Sequence, residues 1–176
     1  MQLSWHFEQH EIETVQRLVA ERLASGRSLL PYRLRHNVEG TPPVIDDDTL
    51  WLTIMMCLLT TPQRSGPNSP VYQLLERSPF PLSLAACHSF DSVQEAALQL
   101  LTEADGIRRV NKIAAAISAN LVLLEQGEWD HLRAWRDRLL AQRAVRPDLA
   151  LRDLEEQAAE YMDRFQQFGP KQSRNF

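Results

Sequence analysis

The sequence predicts an all-α fold, and three observations support that prediction. Apolar residues recur at steps of three and four along most of the chain, which is the spacing of one helix face. Serine or aspartate residues stand just before several of these stretches, where they can cap a helix, and segments rich in proline and glycine separate the stretches. No stretch shows a convincing alternation of apolar and polar residues, the pattern typical of a strand.

The first 60 residues contain two predicted helices. The apolar residues between positions 10 and 23 lie on one helix face, and Gly26 is the expected stop. Residues 28–44 have no sustained period and are interpreted as an irregular connection over the surface. Three aspartates then precede a dense apolar run. Carboxylates there can accept from the free N–H groups of a first helical turn, so a buried helix is predicted over residues 49–60.

The middle of the chain is predicted to alternate short helices with breaks. Residues 61–70 concentrate residues that fix turns and are predicted to form a loop, in which Ser69 and Pro70 supply the cap and the first position of the next helix. A second break at 78–81 leads into the apolar stretch 82–88. Ser92 and Glu95 have the spacing of a capping box before a further helix, which should end near Gly106.

The helical pattern continues to the end of the chain. It covers residues 107–124 with Gly127 as the expected stop, then residues 129–142, and then residues 151–165 as the last full helix. A new helix should begin at Pro170. The prediction is therefore seven or eight short to medium helices within residues 1–176, arranged as a single domain or as two incomplete lobes.

Composition limits the function classes. The two cysteines, Cys57 and Cys87, each lie in an apolar run without nearby cysteine or histidine, so both are predicted to be buried thiols in a reducing compartment. No histidine spacing suggests a metal site, and no metal or cofactor is expected. The first ten residues do not resemble a signal peptide, and the longest apolar run, residues 50–59, is too short to span a bilayer. We expect a cytoplasmic protein without membrane contact.

The charge distribution becomes more basic toward the end of the chain. The formal net charge is −4, but residues 1–130 hold 10 basic against 16 acidic side chains, whereas residues 131–176 hold 9 against 7. Such asymmetry either indicates a nucleic-acid contact or is chance variation in the number of charged side chains on solvated helices.

The segment after the last full helix contains the candidate chemistry. Gly169 lets the backbone turn and approach another molecule closely, and the first N–H groups of a helix that begins at Pro170 would suit a phosphate. Of the 19 basic residues only Lys112 and Lys171 are lysines. Unlike arginine, a lysine can lose its proton and attack an electrophilic carbon to form a Schiff base. The alternative is that Lys171 is a surface lysine that follows a helix end.

The run from Phe168 to Phe176 resembles the hairpin of the helix-hairpin-helix DNA glycosylases, the superfamily of endonuclease III and the 8-oxoguanine glycosylases. It most resembles the bacterial-archaeal 8-oxoguanine branch: Gly169, Lys171 and Phe176 match its glycine, catalytic lysine and aromatic positions. Gln167 stands where the family usually has a first hairpin glycine. Upstream, residues 50–63 resemble the helix and polar loop that these enzymes place against DNA, and residues 108–112 resemble the basic start of a helix midway along this branch.

The resemblance implies a base-excision repair enzyme, a DNA glycosylase with AP lyase activity. Its partner would be duplex DNA that contains a damaged base, an oxidised purine such as 8-oxoguanine, flipped into a cleft between two helical lobes. Lys171 would be the catalytic nucleophile, and the helix-hairpin-helix unit would begin within residues 152–176. The implied DNA-binding residues are Gln63, Phe168, Gly169, Pro170 and Arg174. The protein is expected to be a monomer.

Two alternatives remain open from the sequence. In a non-catalytic DNA-binding module Lys171 would only contact phosphate, and a helical adaptor between proteins would not use the hairpin at all. The family's catalytic aspartate lies beyond residue 176, together with helices that complete the second lobe. If the protein ends at Phe176, severely impaired catalysis is expected, because the second hairpin helix would also be very short. Trp129 and Trp135 could stack on a base, but their helical spacing favours the core.

Overall fold

The structure is a computed structural model that describes residues 8–25, 44–61, 63–145 and 149–175. Within those ranges every regular element is helical and no strand occurs, which confirms the all-α class. Gly26, residues 28–43 of the connection predicted at 28–44, and the aromatic side chain of Phe176 lie outside the described residues.

The described helices follow one another in chain order. They are α1 (Gln9–Ala24), α2 (Asp47–Thr60), α3 (Pro70–Leu75), α4 (Leu84–Ser89), α5 (Val93–Glu103), α6 (Val110–Leu123), α7 (Trp129–Val145), α8 (Leu149–Met162) and α9 (Pro170–Asn175). Contacts divide the chain into two compact units, Met1–Val44 and Ile45–Phe176. The first unit contains α1, none of whose side chains is buried. The second contains the other described helices.

Side-chain caps define the starts of three helices in the second unit. Asp46 Oδ1 accepts from the Thr49 backbone N–H at 2.9 Å, Ser69 Oγ accepts from that of Tyr72 at 3.1 Å, and Ser92 Oγ accepts from that of Glu95 at 3.3 Å. Each cap satisfies an N–H group that has no partner within its own helix. The predicted starts at Ser69 and Ser92 are thereby confirmed, and α2 begins two residues earlier than predicted because Asp46 is its cap.

Gly127 is confirmed as a stop between α6 and α7. Its φ of 115° and ψ of −4° are not helical, and the chain kinks there. Glycine reaches such a φ without a steric penalty. Several other boundaries after residue 100 differ from the predicted ones. α6 begins at Val110 instead of 107, since Arg109 takes a left-handed conformation as its N-cap. α8 ends at Met162, three residues earlier than predicted.

Helix α2 lies at the centre of the core of the second unit. It packs against α3, α4 and α6, and half of its residues are buried. The Trp51 indole N–H donates to the Leu82 carbonyl at 2.9 Å, which fixes the turn before α4 against α2. Trp129 is also in the core, as its helical spacing predicted. The core is closed from the other side by Met162 and Phe165, at the end of α8 and in the turn after it.

Candidate functional site

The last full helix and the short helix after it form a hairpin. α8 ends at Met162, successive turns reverse the chain, and α9 begins at Pro170, the position predicted from the sequence. Phe165 is 1% exposed and belongs to the core, and its ring lies 5.9 Å from that of Phe168. The apolar side of the turn is therefore anchored in the core of the second unit.

The left-handed residue of the turn is Gln167, with φ of 63°. The sequence suggested that Gly169 supplies the backbone freedom of this turn, and that interpretation is wrong: the φ of Gly169 is not in the left-handed region. A Cβ there would meet only Gln172 Oε1, at an ordinary 3.6 Å. A residue with a side chain pays about 1–2 kcal/mol in the left-handed region, so other contacts must stabilise this turn.

Three polar contacts stabilise the hairpin. The Asn120 side chain accepts from the Gln166 backbone N–H at 2.7 Å and donates to the Gln166 carbonyl at 3.2 Å. The Ser173 hydroxyl donates to Asp163 Oδ1 at 2.6 Å, which ties α9 back to the end of α8. The Gln172 side-chain amide donates to the Thr61 hydroxyl at 2.7 Å.

The two cysteines are buried free thiols, as predicted. Cys57 lies under the hairpin, where its Sγ donates to the Gln172 carbonyl at 3.8 Å, and burial raises the pKa of this thiol to about 11. Cys87 donates to the Leu82 carbonyl at 3.6 Å, and burial likewise raises its pKa to about 11. Neither thiol is suited to act as a nucleophile, because the reactive species is the thiolate.

Lys171 lines an open cleft of about 590 Å³. Three parts of the chain form its walls: the start of α9, the loop between α2 and α3, and the segment before α6. Arg64 and Arg108 share the cleft with Lys171, and none of the described residues that line it is acidic. Within the described part of the chain these three cations form no ion pair, so their charges are uncompensated.

Gln63 shapes one wall of this cleft. Its Oε1 accepts from the Arg108 backbone N–H at 2.7 Å, and its Nε2 donates to the Leu59 carbonyl at the end of α2. Both ends of its amide are thus used to connect the loop after α2 with the segment before α6. The structure therefore brings Gln63 and Lys171, predicted as separate site residues, into one cleft.

The other predicted site residues lie in the hairpin but not among those that line the cleft. Phe168 is half-buried against the core, Gly169 is half-buried, and Pro170 is exposed at the start of α9. Arg174 lies in α9, and its side chain is outside the part of the chain described. Trp135 lines a different cleft, of about 630 Å³ between α7 and α8, which Lys171 does not touch.

Sequence reasoning missed four residues that build the site: Thr61, Arg64, Asn120 and Gln172. Asn120 was detectable, because it is a polar residue on the face of α6 whose other members are apolar, and it is fully buried. Thr61, Arg64 and Gln172 stand in segments that were already predicted to be polar, and no pattern distinguishes them from solvated residues.

The fold and the site together define an all-helical protein in which a hairpin lysine lines a basic cleft. In comparisons with models of protein families, with curated proteins and with solved structures, nothing matches the chain. Among the residues described, no group of histidine, cysteine or acidic side chains is placed to hold a metal ion. No helix in those same ranges is long and apolar enough to cross a membrane.

Proposed function

We propose that this chain belongs to a DNA glycosylase with AP lyase activity, which acts on an oxidised purine, 8-oxoguanine, in duplex DNA through a Schiff base at Lys171. The observation that carries the proposal is the position of Lys171 in a cleft with Arg64 and Arg108 and without any acidic side chain among the described lining residues. The resemblance of the hairpin to that of the helix-hairpin-helix glycosylases supplies the reaction.

The cleft is suited to an anionic nucleotide. Each nucleotide of a strand carries one negative charge, and guanidinium groups can bind phosphate oxygens through two hydrogen bonds. The volume of about 590 Å³ is within the ordinary range of small-ligand pockets and is adequate for one base turned out of the duplex. Thr61, Gln63 and Asn68 add hydrogen-bonding groups to the walls.

Lys171 would act as a neutral amine. Its Nζ attacks C1′ of the sugar, the glycosidic bond breaks, and the base leaves with the bonding electron pair and takes up a proton. The sugar ring then opens to a Schiff base. Loss of a C2′ proton and cleavage of the C3′–O bond complete the lyase step. Arg64 and Arg108 would hold the flanking phosphates while these bonds change.

A preformed abasic site is the simplest substrate for Lys171. Expulsion of a base develops charge that an acidic group can stabilise, and none of the described cleft residues supplies a carboxylate. The open sugar of an abasic site is already an aldehyde, so the amine can condense with it directly and release water. Schiff-base formation on abasic DNA therefore tests Lys171 separately from base excision.

Borohydride trapping tests the proposal. The wild-type chain is incubated with duplexes that contain either 8-oxoguanine or an abasic site, and borohydride reduces any Schiff base to a stable covalent adduct. We expect an adduct on the abasic duplex that is lost in Lys171→Ala and in Lys171→Arg, the latter retaining the charge but not the nucleophile. Lys112→Ala removes the only other lysine and should retain the adduct.

Each result has a defined meaning. An adduct that persists in Lys171→Ala would show that Lys171 is not the nucleophile. Duplex binding without any adduct would overturn the enzymatic proposal in favour of a DNA-binding module. If the chain binds no duplex at low salt, even when it is extended past Phe176, the adaptor alternative stands.

A further inference from the structure

We propose that Asn120 is a positioning residue for Lys171, an inference that rests on the proposed function of that lysine. Asn120 lies in the second half of α6 and is 0% exposed. Its carboxamide does not bond to its own helix. Both of its hydrogen bonds go to the main chain of Gln166 in the hairpin, 46 residues later in the sequence.

One carboxamide binds both main-chain polar groups of a single residue. Oδ1 accepts from the Gln166 N–H at 2.7 Å and Nδ2 donates to the Gln166 carbonyl at 3.2 Å. A side chain with both a donor and an acceptor at its tip is needed to satisfy both groups. Aspartate could accept from the N–H group but would face the carbonyl oxygen with a like charge, and leucine would leave both main-chain groups without their partner.

Gln166 lies where the path of the hairpin is decided. Gln166 follows Phe165, which is fixed in the core, and precedes Gln167, the residue in the left-handed conformation. The direction of the chain after that turn sets where α9 starts, and Lys171 is the second residue of α9. Because α6 also packs on α2 and α5, the helix that carries Asn120 is fixed in place, and Asn120 can fix the position of the turn.

The hydrogen bond between Ser173 and Asp163 cannot replace the contacts of Asn120. Ser173 and Asp163 bond to each other within the hairpin, so they close it without fixing it to the rest of the protein. The hydrogen bond from Gln172 to Thr61 fixes α9 after Lys171 but does not hold the turn before it. Loss of the Asn120 contacts would therefore let that turn shift and would displace Lys171, which lies between the two attachments, relative to Arg64 and Arg108. A shift of this kind misplaces a nucleophile without removing it.

The test measures the rate constant of covalent adduct formation in a single turnover. The full chain reacts with a duplex that contains a preformed abasic site, and borohydride is the reductant. The variants are Asn120→Leu and Asn120→Asp, and the control is Ile113→Ala, which destabilises the same helix without touching the hairpin bonds. At saturating DNA, and after correction for the folded fraction, we expect the rate constant of the Asn120 variants to fall by about 10-fold or more. The Kd for DNA should change by less than about 3-fold. Ile113→Ala should keep the wild-type rate constant.

An unchanged rate constant in folded Asn120→Leu would overturn the positioning role while leaving the proposed function intact. If the wild-type chain forms no adduct, the proposed function fails and the inference with it, so the wild-type reaction distinguishes the two failures. Should both Asn120 variants fail to fold, amide hydrogen exchange of the wild-type protein decides. The Gln166 amide should then exchange as slowly as the core amides of α6, and exchange at the rate of a free loop would contradict the inference.

Discussion

The side-chain amide of Gln172 donates to the hydroxyl of Thr61 at 2.7 Å and so fastens the hairpin to the loop after α2. Two residues further along that loop, Gln63 accepts from the Arg108 backbone N–H. The three walls of the Lys171 cleft are thus joined by two side-chain amides. Gln172 is only 8% exposed, so its bond to the half-buried Thr61 is partly buried.

A double-mutant cycle should detect the coupling between the hairpin and this loop. Thr61→Val and Gln172→Leu each remove one partner of the hydrogen bond, and we expect a coupling free energy of about 1 kcal/mol in urea unfolding. Thr60→Val is the matched control, because the Thr60 hydroxyl donates to Met56 within α2. Coupling of Thr60 to Gln172 as large as that of Thr61 would argue against a specific link.

The two cleft arginines should dominate the salt dependence of duplex binding. Arg64→Ala and Arg108→Ala should each weaken binding to all sequences alike and lower the slope of log K against log salt by about 1, because each removes one phosphate contact. Arg77→Ala, an exposed arginine between α3 and α4 that does not line the cleft, serves as control. The slopes are measured by fluorescence anisotropy. If all three variants have equal slopes of log K against log salt, the cleft is not part of the DNA interface.

Both thiols should resist alkylation in the folded protein. Burial raises the pKa of Cys57 and Cys87 from 9.0 to about 11, so the thiolate fraction at pH 8 falls by about 100-fold. Iodoacetamide labelling followed by mass spectrometry should show slow modification of the native chain and rapid modification in denaturant. Rapid native labelling of Cys57 alone would indicate that the hairpin above it opens.

Stability should fall in acid partly through Asp47. A paired hydrogen bond from the Arg133 guanidinium, with Nε to Oδ1 at 3.0 Å, lowers the pKa of this carboxyl and connects α2 to α7. Because the pKa of Asp47 is lower in the folded state than in the unfolded state, its ionised form stabilises the folded protein. This stabilisation is fully present above the pKa of the unfolded state, near 4, and is lost as the pH falls through the pKa of the folded state. Asp47→Asn should therefore flatten the fall in unfolding free energy between about pH 5 and pH 2.

The comparison that isolates this pair is Asp48→Asn, which makes the same change of charge at an exposed neighbour in the same helical turn. Urea unfolding at a series of pH values measures both variants. If Asp48→Asn flattens the profile as much as Asp47→Asn, then net charge and not the bond to Arg133 sets the acid dependence.

Local sequence patterns predicted the helical class and most helix boundaries, because periodicity and capping act over three or four residues. Asp46, Ser69 and Ser92 cap the helices that follow them, and Pro170 begins α9, all through contacts inside a single turn. The sequence also singled out Lys171 and Gln63 as candidate site residues. It failed at the start of α6, which lies at Val110 instead of 107, because the left-handed conformation of Arg109 is not apparent from the local sequence.

Which of these residues form hydrogen bonds with each other depends on the tertiary structure. Gln166 is held by Asn120, 46 positions away, Gln172 by Thr61, 111 positions away, and Arg108 by Gln63, 45 positions away. Local patterns carry no information on contacts at such separations, since they depend on how α2, α6 and the hairpin pack together. The same packing placed the left-handed turn at Gln167 instead of Gly169, because bonds from a distant helix can stabilise a backbone conformation that the local sequence does not favour.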